Sequence, residues 1–175
     1  MQNLEELKAA IPDFAKDVRI NLQSLINAES QTLTTKQAYG SALASAYATK
    51  EKALIKIFEN EAKQFLSESE LNAVKTATVL MGMNNIYYRF THLSEDKEYS
   101  QMAAGLRMQG IANHGIEKSD FEMFSLAVSA INGCGMCMDS HANNLLKHNI
   151  TKTQVQTVIK IAAVVNSAAQ LLIVL

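Results

Sequence analysis

Apolar residues recur at intervals of three and four along most of this chain, which is the spacing of one face of an α-helix. The clearest case lies near the C-terminus, at Val155, Val158, Ile159, Ala162 and Val165. No segment shows the alternation of apolar and polar residues that is typical of a half-buried strand. The pattern predicts helices over residues 12–26, 34–49, 51–66, 70–91, 101–112, 120–132, 134–148 and 152–173.

Signals for helix starts support this assignment. In a capping box, the side chain of a Ser or Thr at the helix start accepts a hydrogen bond from the backbone N–H three residues later. The Glu or Gln side chain at that later position accepts one from the backbone N–H of the Ser or Thr. Four pairs fit this pattern: Thr34 with Gln37, Ser67 with Glu70, Ser119 with Glu122, and Thr151 with Gln154. Proline is favoured in the first turn of a helix, so Pro12 suits the start of the first predicted one.

The composition agrees with a helical protein. The chain has 175 residues, of which 48% are hydrophobic and only one is proline. This length and apolar content suffice for one hydrophobic core. The clearest break is a short loop over residues 94–100, and no linker divides the chain. We therefore expect a compact, all-α, multi-helix fold in which residues 1–175 form a single domain.

A faint internal repeat indicates a duplicated helical unit. The segment Met-Gly-Met-Asn-Asn at residues 81–85 parallels the segment that ends in Ile-Asn-Gly-Cys at residues 131–134. In this alignment Gly82 corresponds to Gly133. Only the second unit then carries reactive groups, because the counterparts of Cys134, Cys137 and His141 are Met83, Ile86 and Phe90.

The charge balance excludes several classes of partner. Sixteen basic and seventeen acidic residues give a net charge of −1, which offers no electrostatic footprint for nucleic acid or an anionic membrane. The N-terminus has no signal-peptide pattern, and the longest uncharged stretches, 123–138 and 161–175, are shorter than a spanning helix. We expect a cytoplasmic protein, in which two nearby cysteines are more often catalytic or metal-binding than a structural disulfide.

The candidate chemistry lies in the motif Cys-Gly-Met-Cys. Cys134 and Cys137 follow Asn132-Gly133, a typical helix end, and so lie at the start of the next helix. Residues three and four apart share a helix face, so His141 lies on the same face as both cysteines. The helix N-terminus favours the thiolate, which is the nucleophilic form. This spacing favours a redox-active dithiol.

Other interpretations of the cysteine pair are less favoured by the sequence. A zinc site needs four ligands, and His148 is about 21 Å along the helix from Cys134. A buried, inert pair is the second alternative. Attached haem requires a His where the chain has Met138, and a thioredoxin-like site requires a βαβ pattern.

Neighbouring residues add candidates. Glu122 is either a helix cap paired with Ser119 or a proton acceptor that reaches the dithiol from the preceding helix. Met136 and Met138 are interpreted as packing residues, and no role is assigned to His92 or His114. The polar and aromatic run over residues 81–89 is expected to lie in a subunit contact.

At these residues the chain resembles the AhpD family of alkylhydroperoxidases, within the carboxymuconolactone decarboxylase-like superfamily. The likeness covers nearly the whole chain and includes residues 11–17 and 81–85. It is strongest in the run from residues 105–108 through 111–113 and 121–122 to Ala-Val-Ser-Ala-Ile-Asn-Gly-Cys at residues 127–134.

The resemblance implies an all-α homotrimer that reduces peroxides through the dithiol. In family terms Cys137 is the peroxidatic residue that forms a sulfenic acid, and Cys134 is the resolving partner and proton donor. Glu122 and His141 match the proton-relay positions. The implied reductant is a dihydrolipoyl group on an acyltransferase of a 2-oxoacid dehydrogenase complex, and the implied oxidised client is an AhpC-type peroxiredoxin.

The resemblance implies no tightly bound cofactor and no metal. Some relatives carry His just before the second cysteine, where this chain has Met136, so we expect a shorter relay and weaker direct peroxidase activity. Two other functions stay open at this point: a decarboxylase of the carboxymuconolactone type and a non-enzymatic helical redox sensor.

Overall fold

A computed structural model describes residues 1–26 and 32–175 of the chain. Within these residues all regular structure is helical and no strand is present, so the predicted all-α fold is confirmed. The helices are α1 (Leu4–Ala10), α2 (Lys16–Leu25), α3 (Thr35–Thr49), α4 (Lys52–Ala62), α5 (Glu68–Leu93), α6 (Glu98–Gln101), α7 (Lys118–Ile131), α8 (Gly135–Lys147) and α9 (Lys152–Val174).

The core is built around α3, α7 and α9, each of which packs against the other two. Small residues in α3 allow the close approach to α7. A Cβ atom at Gly40 would lie 2.3 Å from Cε1 of the Phe124 ring, closer than non-bonded carbon atoms approach. Helices α3 and α7 are buried on nearly every side. Helices α5 and α8 pack against α7, and these three helices form the functional site described below.

Side-chain caps fix the starts of three predicted helices. The capping boxes of Thr34 with Gln37, Ser67 with Glu70 and Thr151 with Gln154 are all present. A short helix that was not predicted, α1, begins in a similar way. Its N-cap Asn3 accepts a hydrogen bond from the backbone N–H of Glu6. This Asn with Glu three residues later was the available sequence signal.

The predicted helix over residues 101–112 is wrong. Helix α6 ends at Gln101, and the following segment is irregular up to α7 except for a 3₁₀ turn at Gln109–Ile111. Gly105, inside the predicted range, has a φ angle of +65°, which a right-handed helix does not contain. Two apolar residues of this segment, Met108 and Ile111, line the site described below instead of a helix face.

The proposed alignment of Gly82 with Gly133 is not reproduced in the backbone. Gly82 lies inside α5, which continues to Leu93, whereas Gly133 has a φ angle of +69° and lies between two helices.

Helix α9 is 23 residues long, and by length and composition alone it could cross a membrane. Its buried residues, such as Val158, Ile161 and Val165, pack in the core against α3 and α7. Core helices of this kind pass the same test of length and composition.

Candidate functional site

A glycine turn between α7 and α8 positions the two cysteines. With Gly133 in the left-handed region, the N–H groups of Gly133 and Cys134 donate to the carbonyls of Ala130 and Ser129. These two bonds form a Schellman motif, which closes a helix and usually needs glycine at this point. Helix α8 can therefore start directly afterwards, with Cys134 as its N-cap residue.

The two cysteines are joined to each other. Cys134 and Cys137 form a disulfide, and their Cα atoms lie 5.3 Å apart. Cys134 Sγ also accepts a hydrogen bond of 3.3 Å from the backbone N–H of Cys137. Both sulfurs thus lie at the N-terminus of α8, where unpaired N–H groups favour negative charge. In the part of the chain that the structure describes, no group of three or more His, Cys, Asp or Glu residues could hold a metal.

His141 and Glu122 meet one helical turn beyond the disulfide. Nδ1 of His141 lies 2.6 Å from Oε2 of Glu122, and Asn144 Nδ2 donates to Oε1 of the same carboxylate at 3.1 Å. Glu122 is only 5% exposed, and these two hydrogen-bond partners offset the free energy that burying its carboxylate costs. With Nδ1–H donating to the carboxylate, Nε2 is the imidazole nitrogen left to exchange a proton.

Nε2 of His141 does not contact a cysteine sulfur. It lies 3.2 Å from Sδ of Met81 on α5, and a thioether is a weak acceptor. The structure therefore brings Glu122 and His141 together, and it places His141 beside Cys137 on the wall of one cavity. The sequence pattern contained no signal that Met81 contacts the histidine.

The capping role considered for Glu122 is wrong. Helix α7 begins at Lys118 with Glu117 as the N-cap residue, and no side chain caps it. Ser119 lies inside the first turn, so its side chain is not at the capping position. The carboxylate of Glu122 is directed to α8, which leaves its contacts with His141 and Asn144 as the reason for its burial.

A cavity of about 260 Å³ opens beside the disulfide. Residues from α5, α7, α8 and the irregular segment before α7 form its wall. They are Met81, Asn84, Tyr88, Met108, Ile111, Glu122, Met136, Cys137, Ser140, His141 and Asn144. Apolar side chains form much of this wall, and several polar groups share it with Cys137, which is typical of a small-molecule site.

The two sulfurs differ in access. Cys137 lines the cavity and is 7% exposed, whereas Cys134 is 0% exposed and does not line it. A molecule in the cavity can therefore reach Cys137 only. Met136 also lines the cavity and is 42% exposed, so it is not the packing residue that we expected, whereas Met138 is half-buried and packs against the core.

Hydrogen bonds from α5 hold the turn that carries the cysteines. Asn85 Nδ2 donates to Ser129 Oγ at 2.9 Å, and Asn85 Oδ1 accepts from Asn132 Nδ2 at 3.0 Å. Arg89 donates to the carbonyl of Asn132 at 2.6 Å. Polar residues of the 81–89 run thus act within the subunit, and α5 fixes the loop in front of Cys134.

His114 lies near the site but outside the cavity wall. Its ring stacks on Phe121 with centroids 4.3 Å apart. Burial lowers the pKa of His114, and the negative charge of Glu122 opposes this shift. The imidazole is therefore favoured in its neutral form, as a packing partner of the residue before Glu122.

Comparisons with known proteins agree with this geometry. The model of the carboxymuconolactone decarboxylase family matches residues 97–173. A protein of Hyphomonas neptunium named alkyl hydroperoxide reductase AhpD is 53% identical over 97% of this chain and 93% of its own length. Proteins of the same name from Coxiella burnetii and Maricaulis maris are 52% and 48% identical, over 98% and 97% of this chain and 97% of their own lengths.

Proposed function

Because this chain belongs to the AhpD family of alkyl hydroperoxide reductases, we propose that it reduces alkyl hydroperoxides by cycling Cys134 and Cys137 between dithiol and disulfide. One observation carries the proposal. The disulfide lies at a helix N-terminus, and only Cys137 faces a largely apolar cavity that also contains the Glu122–His141 pair.

In the oxidative half-reaction, a water in the cavity carries the proton of the Cys137 thiol to Nε2 of His141, since the two groups share the cavity wall without touching. The Cys137 thiolate then attacks the terminal oxygen of the hydroperoxide. An S–O bond forms, the O–O bond breaks, and the departing alkoxide takes a proton from His141 to become the alcohol. Glu122 supports this exchange because its carboxylate accepts the hydrogen bond from Nδ1–H, which leaves Nε2 of His141 free to take the proton.

The Cys134 thiol then resolves the sulfenic acid on Cys137. Its sulfur attacks the Cys137 sulfur, the S–S bond forms, and the hydroxyl leaves as water with the proton of the Cys134 thiol. The 5.3 Å separation of the Cα atoms already lies in the range that a disulfide requires. Cys134 is thus the resolving partner and the proton donor.

In the reductive half-reaction, a dithiol returns the enzyme to its reduced form. We propose a dihydrolipoyl group as this reducing substrate, carried by the acyltransferase of a 2-oxoacid dehydrogenase complex, with no tightly bound cofactor. The apolar wall near Cys137 suits the hydrocarbon arm of such a group. An oxidised AhpC-type peroxiredoxin is the proposed client that takes electrons from the reduced pair.

We further propose a cytoplasmic homotrimer. An apolar stripe on α5 supports a subunit contact, because it consists of the exposed residues Val79, Ile86, Phe90 and Leu93. Light scattering should give three times the chain mass of 19.2 kDa. A monomer at micromolar concentration would contradict the trimer without affecting the proposed chemistry.

The deciding experiment measures consumption of cumene hydroperoxide with dihydrolipoamide as donor, with and without an AhpC-type peroxiredoxin. Cys137→Ser should abolish turnover. Cys134→Ser should leave a sulfenic acid on Cys137 that dimedone labels after one equivalent of hydroperoxide. Retained turnover in Cys137→Ser, or dimedone label on Cys134 in the converse variant, would contradict the assigned roles.

The same assay separates the other functions considered. A decarboxylase of the carboxymuconolactone type would not depend on Cys134 and Cys137. A redox sensor would form the disulfide once and would not turn over with excess donor.

A further inference from the structure

Asn84 is a buried polar residue of the cavity wall with an unused hydrogen-bond acceptor. It lies on α5 and is 4% exposed, and its Oδ1 atom has no hydrogen-bond partner. Leaving a buried carbonyl oxygen unpaired is unfavourable, so such an atom in a folded chain needs an explanation. Asn84 borders the same cavity as Cys137 and His141.

A comparison with other buried polar residues shows that the unpaired oxygen of Asn84 is unusual. Asn85, one position along α5, is also buried, but both ends of its side-chain amide have partners, Ser129 for the nitrogen and Asn132 for the oxygen. Two other buried side-chain oxygens without partners occur in the described chain, on Ser41 and Ser125. Neither residue lines the cavity beside Cys137, so only Asn84 combines an unpaired acceptor with this cavity.

A hydroperoxide offers the complementary group. Its only hydrogen-bond donor is the O–H at the terminal oxygen, which is the atom that the Cys137 thiolate attacks. We propose that the Asn84 side chain turns toward the cavity in the reduced protein, so that Oδ1, which is closed to solvent in the disulfide form, accepts this O–H and holds the terminal oxygen at Cys137. The alkyl group then lies against the apolar wall of Met81, Met108 and Ile111. This assignment rests on the proposed peroxidase function and adds the residue that binds the reacting group.

The hydrogen bond is compatible with the balance of the reaction. The hydrogen held by Asn84 stays on the terminal oxygen as the S–O bond forms, so it becomes the hydrogen of the sulfenic acid. The alkoxide released when the O–O bond breaks takes its proton from His141, as proposed above. Asn84 therefore orients the substrate and exchanges no proton, which separates its role from that of the Glu122–His141 pair.

The test compares Asn84→Ala with Ser125→Ala, which removes an unpaired buried oxygen away from the cavity. Reduced protein is mixed with cumene hydroperoxide, and disulfide formation is followed by quenching with iodoacetamide and mass spectrometry. In Asn84→Ala the rate constant for oxidation should fall about tenfold, the usual effect of one hydrogen bond. In Ser125→Ala it should stay within twofold. Reduction of the disulfide by dihydrolipoamide should stay within twofold in both variants.

A measurement on the unaltered protein covers the case in which Asn84→Ala does not fold. Cumyl alcohol keeps the O–H donor, and cumyl methyl ether lacks it. The alcohol should inhibit the reaction with cumene hydroperoxide about tenfold more strongly than the ether does. In a folded Asn84→Ala variant this preference should disappear.

The outcomes separate the two proposals. If the unaltered protein does not react with cumene hydroperoxide, the proposed function fails and the role of Asn84 fails with it. If the unaltered protein reacts but the alcohol and the ether inhibit equally, or a folded Asn84→Ala variant reacts at the normal rate, only the role of Asn84 is overturned.

Discussion

Replacing Glu122 by Gln should reverse the hydrogen bonding of His141 without changing the shape of the site. Asn144 donates to Oε1 of Glu122, so a glutamine must place its carbonyl oxygen there. Its NH₂ group then faces Nδ1 of His141, which has to act as an acceptor. The imidazole proton moves to Nε2, and a histidine in this tautomer cannot take the thiol proton of Cys137.

The expected loss of rate is large compared with the loss of stability. A positioned general base contributes about 10²–10⁴-fold, so oxidation of the dithiol at neutral pH should slow by that factor. A hydrogen bond to a charged group contributes about 1.5–3 kcal/mol and a neutral one about 0.5–1.5 kcal/mol. The free energy of unfolding should therefore fall by only ~1 kcal/mol, which leaves most molecules folded.

The assay follows disulfide formation in reduced protein mixed with cumene hydroperoxide, by quenching and mass spectrometry, because the chain has no tryptophan for fluorescence. The variant's rate should rise with pH, since solvent then removes the thiol proton. Glu117→Gln is the matched control, because Glu117 is an exposed carboxylate at the start of the same helix without a capping contact. A rate for Glu122→Gln within twofold of the unaltered protein at neutral pH would refute the relay.

Two further substitutions test the cavity and the core. Met136→His places a titratable group on the cavity wall beside Cys137, so it should raise the rate of oxidation by hydroperoxide severalfold. An unchanged or lower rate would argue that the proton relay does not lack a member at position 136. Gly40→Ala should lower the free energy of unfolding in urea by about 1–3 kcal/mol, because its Cβ would lie 2.3 Å from the Phe124 ring. A urea midpoint at or above that of the unaltered protein would show that α3 and α7 can move apart without loss of stability.

Local signals were enough for most of the fold. Capping boxes and the three-to-four spacing depend on neighbouring residues, so the starts of α3, α5 and α9 could be predicted closely. The segment over residues 101–112 was mispredicted because two of its apolar residues, Met108 and Ile111, line the cavity rather than a helix face. Hydrophobic spacing does not distinguish these two uses when the partner surface comes from a distant part of the chain.

The site likewise divides into residues that local spacing could place and residues that it could not. Local spacing was enough to place Cys134, Cys137 and His141 together, because all three belong to the first two turns of α8. The role of Glu122 could not be decided, because its choice between capping and contact with α8 depends on where α7 begins and how the two helices cross. The sequence marks Asn84 only as part of a polar run, because the lack of a partner for its side-chain oxygen depends on the folded surroundings.

The different burial of the two sulfurs explains why the proposed oxidative and reductive half-reactions must follow each other in turn. Cys134 is inaccessible, so a reducing thiolate has to attack Cys137, the sulfur that also attacks the hydroperoxide. The group released is then the thiolate of Cys134, at the N-cap of α8, where the N–H of Cys137 and the helix dipole stabilise it. Hydroperoxide and dithiol thus use one opening and react with opposite redox forms. The order of events therefore follows from the access to a single sulfur and does not require separate binding sites.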